Sequence, residues 1–253
     1  MQVKIIKIGG KLVEDDAVLN ALTERLTAFH PGCVLVHGGG SMAGRLSTAL
    51  GLEIRMHQGR RITDSSTLEV AVMVYAGLAN KKIVAGLQAR GADACGLSGC
   101  DMGLVVSHKR EAGEIDWGFV GDVDTVRTEA LALLLENRIL PVISPITCSK
   151  EGQLLNTNAD SVAGAVAIAL SSLYETELTF CFDKPGVLLD VNDEQSIIPR
   201  IDKHDYRELL ARGVLHSGML PKLENAFKTL EAGVGSVRLT NPENLNGGTV
   251  LSL

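Results

Sequence analysis

The stretch Val34-Leu-Val-His37-Gly38-Gly39-Gly40-Ser41 is an apolar run that breaks into three consecutive glycines. The run from Cys33 to Val36 is apolar without alternation, which predicts a short buried strand. Residues 42–50 can form a helix after the glycines. A strand, a glycine turn and a helix N-terminus together indicate an anion site, because free backbone N–H groups and the positive end of the helix dipole point the same way. The alternative is a tight turn that binds nothing.

The composition suits one large α/β domain or two closely fused lobes. The chain has 253 residues, of which 45% are hydrophobic, 4% are aromatic and 27 are glycines. Its net charge of −6 disfavours nucleic acid and anionic membranes as partners, so phosphate recognition must be local. The five cysteines lack zinc-type spacing, which favours reduced thiols. We expect a cytoplasmic protein without a signal peptide and without an apolar run long enough to span a bilayer.

A second strand-to-glycine turn, Lys7-Ile-Gly9-Gly10, closes the predicted strand at residues 3–8. A helix is expected to follow at about residues 16–29. A lysine near the end of a buried strand is costly unless its ammonium group reaches water or meets an anion. Placed before two glycines, Lys7 predicts the second half of a phosphate cradle. That prediction requires Lys7 and Gly39 to converge.

A basic segment, Met56-His-Gln-Gly59-Arg60-Arg61-Ile-Thr-Asp64, precedes a long helical stretch that runs to Arg90. Its two arginines can clamp a carboxylate, or they can form a solvated pair. Ser66-Thr-Leu-Glu69 has the spacing of a capping box. Residues 68–79 are apolar nearly all round the helix, which predicts burial between layers or contact with a second subunit. We favour a homodimer interface.

The rest of the chain alternates strands and helices. Residues 91–125 are typical of loops and a β-hairpin, and a helix at 128–136 leads into a strand at 139–144. A helix at 161–170 follows, and then a strand at 178–182, helices at 201–213 and 221–232 with a loop at 216–219 between them, and strands at 237–240 and 249–252. This alternation predicts an open, mainly parallel sheet with helices on both faces and ligands at the carboxyl ends of its strands.

Two polar features do not fit a purely structural role. Asn156, Asn158 and Asp160 precede the helix at 161–170 at alternating positions, and capping, by Asn158 or Asp160, accounts for only one of them. Lys222 lies in the first turn of its helix, where a cation is disfavoured by about 0.3–1 kcal/mol unless an anion is near. Two glycine turns, two lysines and an acid suit phosphoryl transfer, which needs positive charge and N–H donors around the phosphoryl oxygens. A Walker motif is absent.

Five motifs occur in the order seen in the amino-acid kinase superfamily: Lys7-Ile-Gly-Gly10, His37-Gly-Gly-Gly40, Gly59-Arg-Arg61-Ile-Thr-Asp64, Asn156-Thr-Asn158-Ala-Asp160 and Gly218-Met-Leu-Pro-Lys222. Over nearly its whole length the chain resembles the N-acetylglutamate kinase family. The resemblance implies a three-layer αβα sandwich around an open, mainly parallel eight-stranded sheet. It also implies an N-terminal lobe, residues 1–170, that binds acylated glutamate and dimerises, and a C-terminal lobe, residues 171–253, that binds ATP and Mg²⁺.

The resemblance also implies a role for each matching residue. Lys7 and Lys222 would stabilise the transition state, and Asp160 would organise them. Backbone donors to the phosphoryl group would be Gly9, Gly10, Gly39 and Gly40. Substrate contacts would come from Gly38, Gly39, Arg60, Arg61, Asn156 and Asn158, and nucleotide contacts from Asp183, Gly186, Val187, Met219 and Lys222, with no protein ligand to a metal. The activity would be ATP-dependent phosphorylation of the γ-carboxylate of an N-acyl-L-glutamate, which needs no general base, in arginine biosynthesis.

Arg60 departs from the family pattern, because members usually have leucine there, against the acyl group. A charged residue could accept an acyl chain with its own carboxylate, as in N-succinylglutamate, or it could simply turn to solvent. Two other classes stay open. Gly38-x-Gly40-x-x-Ala43 fits a dinucleotide-binding fingerprint, although the nearest acid, Glu53, lies in a strand-like run rather than at the end of the next strand. A non-catalytic amino-acid sensor on the same fold is the third alternative.

Overall fold

The computed structural model describes residues 2–57, 60–215 and 220–253. The strands are β1 Gln2–Ile8, β2 Cys33–His37, β3 Met56–His57, β4 Arg60–Arg61, β5 Ala94–Leu97, β6 Val105–Lys109, β7 Val120–Val126, β8 Leu140–Ile143, β9 Ile146–Cys148, β10 Leu154–Thr157, β11 Glu175–Cys181, β12 Arg200–Ile201, β13 Ser236–Thr240 and β14 Thr249–Leu251. The helices are α1 Gly10–Glu14, α2 Asp16–Thr27, α3 Gly40–Ala49, α4 Ser65–Ala71, α5 Asn80–Gln88, α6 Thr128–Glu136, α7 Ala159–Ser171, α8 Lys203–Ala211 and α9 Leu220–Glu231. A π-helix, Val72–Ala79, joins α4 to α5.

Eight strands form one sheet in the order β12-β14-β13-β11-β1-β2-β8-β5. Only the β13–β14 pair is antiparallel, which confirms the predicted mainly parallel sheet. Side chains of β1 alternate between two core clusters, since Val3 and Ile5 belong to one and Ile6 and Ile8 to the other. Burial of both faces explains the continuous apolar runs of these strands. Helices α6, α7 and α9 contribute to the first cluster and helices α2 and α5 to the second, which gives three layers.

Strand β1 lies at the middle of this sheet, between β2 and β11. The first two strands both end in glycine turns, so the two turns are neighbours at the carboxyl edge of the sheet. Strand β1 of the predicted N-terminal lobe pairs with β11 of the predicted C-terminal lobe, so one sheet spans the predicted boundary at residue 170. The division into lobes at that residue therefore stays a prediction.

A second, smaller sheet contains β10, β7, β6 and β9, closed on itself. Strands β6 and β7 are the antiparallel hairpin that the middle segment predicted. Strand β5 was not predicted, because its glycine, Gly96, is typical of a loop. The glycine is required there for packing, since a Cβ atom on Gly96 would lie 1.9 Å from Asn80 Oδ1.

The helical stretch from Ser65 to Gln88 corrects two expectations. Its N-cap is Asp64, which accepts a hydrogen bond from the Thr67 N–H group at 2.9 Å, so the capping box predicted at Ser66 is wrong. The stretch is also long and apolar enough to cross a membrane by length and composition, contrary to the sequence-based expectation. A core helix passes the same test, and Val74 and Ile83 are buried in the second cluster.

Other differences are local. Asp202 caps α8 through a capping box, so Ile201 ends a strand instead of starting that helix. Asn158, and not Asp160, caps α7. Glu53 lies in an irregular segment and not in a strand. The loop predicted at residues 216–219 lies outside the described residues.

Candidate active site

The two glycine turns touch through their backbones. Gly38 N–H donates to the Ile8 carbonyl oxygen at 3.0 Å. A Cβ atom on Gly10 would lie 2.8 Å from the Gly39 nitrogen and 2.9 Å from its Cα, so a side chain there would force the turns apart. The turn after β1 and the turn after β2 therefore form a single cradle.

Helix α3 begins directly at this cradle. Gly39 is its N-cap and has no side chain to bond the first N–H groups of the helix. Glu14, from the end of α1, accepts hydrogen bonds from Ser41 Oγ and from Arg45 at the edge of the cradle. These bonds hold the pKa of the Glu14 carboxyl below its usual value despite its desolvation by burial. Of the turn itself, the Gly39 and Gly40 N–H groups stay available to an anion, whereas the Gly38 N–H group is bonded to Ile8.

Lys7 and Asp160 form an ion pair beside the cradle. Lys7 Nζ lies 2.7 Å from Asp160 Oδ1, and the two side chains are 17% and 32% exposed. Asp160 is held in place by the start of α7, where its N–H group donates to Asn158 Oδ1 at 2.8 Å. Capping by Asn158 therefore fixes the acid that contacts the lysine.

Lys222 approaches the same edge of the sheet from the last third of the chain. Its ammonium group lies 4.7 Å from the centre of the Phe182 ring, directly after β11, the strand next to β1. Among the described residues Asp160 pairs with Lys7, and Lys222 forms no ion pair. The resemblance implies that Asp160 contacts both lysines. In the part of the chain that the structure describes, its contact with Lys7 is present and an ion pair with Lys222 is not.

A cavity of about 450 Å³ opens beside the cradle. Of the predicted substrate residues, it is lined by Gly38, Gly39, Arg60, Arg61, Asn156 and Asn158. Asn156 Nδ2 donates to Thr63 Oγ1 at 3.0 Å, which ties the wall of the second sheet to the basic segment. The substrate residues predicted from three separate motifs thus meet around one space.

One buried nitrogen of Arg61, Nη1, has no hydrogen-bond partner among the described residues. Nη2 of the same side chain donates to the Gly40 carbonyl oxygen at 2.9 Å, which fixes the guanidinium beside the cradle. A buried donor without a partner is costly, and a carboxylate is the natural partner for a guanidinium.

Arg110 and Tyr75 also line the cavity, and the sequence analysis missed both. Arg110 Nε donates to Asp122 at 2.9 Å, and its guanidinium lies 5.5 Å from the centre of the Trp117 ring. This hydrogen bond holds the pKa of the Asp122 carboxyl below its usual value. The alternating charges of the hairpin predict such cross-strand pairs, but they do not indicate which side faces a cavity.

Two of the predicted nucleotide residues line a much smaller space. Gly186 and Val187 line a cleft of about 40 Å³ with Leu188, Val214 and Leu215. A Cβ atom on Gly186 would lie 2.8 Å from Thr249 Oγ1, which accepts the Val187 N–H bond at 2.8 Å. Asp183 is exposed and does not line this cleft, and Met219 lies outside the described residues.

Comparisons with known proteins agree with the kinase interpretation. The model of the amino acid kinase family matches residues 2–241. Acetylglutamate kinase of Phocaeicola vulgatus is 49% identical over 245 residues, covering 97% of this chain and 95% of its own. Acetylglutamate kinase of Parabacteroides distasonis is 49% identical over 244 residues, covering 96% of each chain. The structure of smu.665 from Streptococcus mutans matches with a TM-score of 0.77 and 27% identity, covering 99% of this chain and 98% of that one.

These matches do not support the dinucleotide-binding and sensor alternatives. Glu53, the acid nearest to the position that a dinucleotide site needs after the second strand, lies in an irregular segment and not at the end of a strand. The Lys7–Asp160 pair, which that alternative leaves unexplained, lies beside the cradle. With the family model matched from the first strand to the last third of the chain, this protein belongs to the amino acid kinase family.

Proposed function

We propose that this protein catalyses the ATP-dependent phosphorylation of the γ-carboxylate of an N-acyl-L-glutamate, a step of arginine biosynthesis. The observation that carries the proposal is the Lys7–Asp160 pair beside two touching glycine turns, with the buried Nη1 of Arg61 in the wall of the same cavity. The lysine and the glycine turns suit a phosphoryl group, and the Arg61 guanidinium suits the carboxylate of an amino acid.

The reaction needs positioning and charge, not proton transfer. An oxygen of the ionised γ-carboxylate attacks the γ-phosphorus of ATP, and the bond from that phosphorus to the β–γ bridging oxygen breaks as ADP leaves. Lys7, Lys222 and the N–H groups of the cradle stabilise the charge on the transferring phosphoryl oxygens. Asp160 aims the Lys7 ammonium group, since the two lie 2.7 Å apart.

The described residues fit a Mg²⁺ ion held by ATP phosphates better than one held by a protein cage. Asp160 is occupied by Lys7, and the group of three ligands found in the described residues, Asp202, His204 and Asp205, lies at the capped start of α8. Mg²⁺ commonly binds through substrate phosphates and water, where it neutralises phosphate charge. ATP itself is proposed to lie along Gly186, Val187 and Lys222.

The identity of the acyl group has two candidates. The relatives named acetylglutamate kinase favour the acetyl group. Arg60 and Arg110, which both line the cavity, favour an acyl chain that carries its own carboxylate, such as succinyl. Arg110 is already paired with Asp122, so Arg60 is the cation left to bind the second carboxylate. Replacing Arg60 by leucine would then lower turnover of the succinyl substrate selectively.

A homodimer in the cytoplasm is proposed as the working form. The π-helix between α4 and α5 buries one side in the core, while Met73 and Leu78 are each 54% exposed on it. Exposed apolar side chains on an otherwise buried helix suit a subunit contact. Light scattering of the purified protein should give twice the chain mass, and a charged residue at Leu78 should reduce it.

A hydroxamate assay tests the proposed function. The acyl phosphate is trapped by hydroxylamine in the presence of ATP and either N-acetyl- or N-succinyl-L-glutamate, with free glutamate, aspartate and carbamate as controls. We expect ADP and hydroxamate to appear together with one of the acyl-glutamates. No ATP turnover with either would contradict the kinase and favour a sensor, and preference for the acetyl substrate would end the role given to Arg60.

A further inference from the structure

A buried chain of hydrogen bonds leads from the long helix to the glycine cradle. His37, the last residue of β2, is fully buried, with its Nδ1 3.0 Å from the Gly38 carbonyl oxygen. Its Nε2 lies 3.1 Å from Asn80 Nδ2, which also donates to the Val142 carbonyl oxygen at 2.9 Å. Lys81 Nζ donates to Asn80 Oδ1 at 3.1 Å and thereby fixes the orientation of that amide.

The bonds in this chain all run in one direction. A carbonyl oxygen only accepts, so Nδ1 of His37 must carry the proton that points at Gly38. Nε2 is then the acceptor, which matches a donating amide on Asn80. Burial lowers the pKa of His37 to about 4, so the ring is neutral near pH 7 and has one proton to place. Asn80 decides which nitrogen carries it.

The chain ends on a peptide group of the cradle. In a trans peptide the C=O and N–H groups point in opposite directions. Holding the Gly38 oxygen toward the imidazole therefore turns the Gly39 N–H group to the other side. Gly39 lines the cavity and packs against Gly10, so the direction of this N–H bears on the proposed phosphoryl site.

The π-helix supplies Asn80 at the correct angle. Residues five apart in an α-helix differ in direction by about 140°. In a π-helix, i→i+5 bonding stacks them, and Asn80 N–H bonds the Tyr75 carbonyl oxygen in this way. Both side chains consequently reach the same turn, since a Cβ atom on Gly39 would lie 2.6 Å from the Tyr75 ring. Gly96 on β5 leaves room for the Asn80 amide.

We propose that Asn80 is a positioning residue that acts through His37 to aim the Gly39 N–H group at the transferring phosphoryl group. Asn80 selects the proton position on His37, and His37 orients the Gly38–Gly39 peptide. This inference rests on the proposed function for its effect on turnover. The hydrogen-bond direction itself is independent of any substrate.

Two variants of His37 separate orientation from packing. The side-chain nitrogen of asparagine coincides with Nδ1 of histidine, whereas the amide of glutamine reaches the Nε2 position. We expect H37N to keep kcat within about threefold and H37Q to lose about tenfold or more, with KM for ATP little changed in both. A packing role predicts the reverse, because glutamine is closer to histidine in size. Equal or better turnover by H37Q would overturn the proposal.

Nitrogen-15 NMR of the wild-type protein reads the proton position without substrate or turnover. The resonance of His37 is assigned among the six histidines by its loss in H37N. We expect the Nδ1–H form from pH 6 to 8, and protonation at Nε2 in Asn80→Asp, where the amide donor is replaced by an acceptor. An Nε2–H form in the wild type would overturn the proposal. If the wild type shows neither the Nδ1–H form of His37 nor ATP turnover, both this proposal and the proposed kinase activity are rejected. If the Nδ1–H form is present without turnover, the kinase activity is rejected and the hydrogen-bond direction stands.

Discussion

The proposed acceptor side and the proposed nucleotide side of the site differ in how completely they are preformed. On the acceptor side, the two glycine turns touch, Arg61 is fixed by Gly40, and a cavity of about 450 Å³ stands open. On the nucleotide side, the cleft at Gly186 and Val187 holds about 40 Å³, and Lys222 lies against the Phe182 ring. Groups that are already in place cost no reorganisation during reaction. We infer that the binding site for acyl-glutamate is preformed and that ATP binding opens the nucleotide cleft.

Replacing Lys7 by alanine should lower the catalytic rate more than any of the other changes below. The change removes the cation that Asp160 holds beside the cradle, so kcat should fall by about 100- to 1000-fold, with modest changes in both KM values. Steady-state hydroxamate kinetics measures the loss. K150A, a change of an exposed lysine in the small sheet region, should leave kcat unchanged, and a loss below tenfold for K7A would contradict the catalytic role.

The buried His37 predicts a pH dependence of stability on the acceptor side. Its pKa falls from 6.5 to about 4 on folding, mainly through burial, so the unfolded chain binds the proton more tightly. The contribution of His37 to the free energy of unfolding should therefore be complete above pH 6.5. The free energy of unfolding should fall by about 3 kcal/mol as the pH drops toward 4. Urea unfolding at several pH values measures the slope. In H37N this contribution should vanish, and an unchanged slope would indicate another titrating group.

Arg61→Ala should affect the acceptor side alone. A hydrogen bond to a charged group contributes about 1.5–3 kcal/mol, so KM for the acyl-glutamate should rise by about 10- to 100-fold. The KM for ATP should stay within about threefold, because Arg61 contacts the cradle and not the nucleotide cleft. Initial rates at varied concentrations of each substrate measure both constants. A parallel rise in the KM for ATP would contradict the claim that Arg61 acts on acyl-glutamate binding alone.

Gly186→Ala is the matching change on the nucleotide side, with the smallest expected effect. The new methyl group would lie 2.8 Å from Thr249 Oγ1 and displace Val187, whose N–H group bonds that hydroxyl. We expect KM for ATP to rise by about tenfold and KM for the acyl-glutamate to stay unchanged. If both constants rise together, the cleft is not specific to the nucleotide.

The sequence predicted the acceptor side better than the rest because local patterns encode it. The strand, three glycines and helix at residues 33–50 follow from short motifs, whereas the contact of Asp160 with Lys7 was implied by the family resemblance. The closure of the small sheet around its predicted hairpin, and strand β5, were missed because glycines there serve contacts with distant residues, such as Gly96 with Asn80. The π-helix was also missed, since nothing in an apolar run distinguishes 3.6-residue from wider winding.

The meeting of two lysines from opposite ends of the chain over one phosphoryl group is tested most directly by a crystal structure with ADP, aluminium fluoride and the acyl-glutamate. The account predicts the fluoride group within about 3 Å of both Lys7 Nζ and Lys222 Nζ, with the Gly10 and Gly39 N–H groups pointing at it. Lys222 should then have left the Phe182 ring. A fluoride group bound elsewhere, or Lys222 still stacked on Phe182, would contradict it.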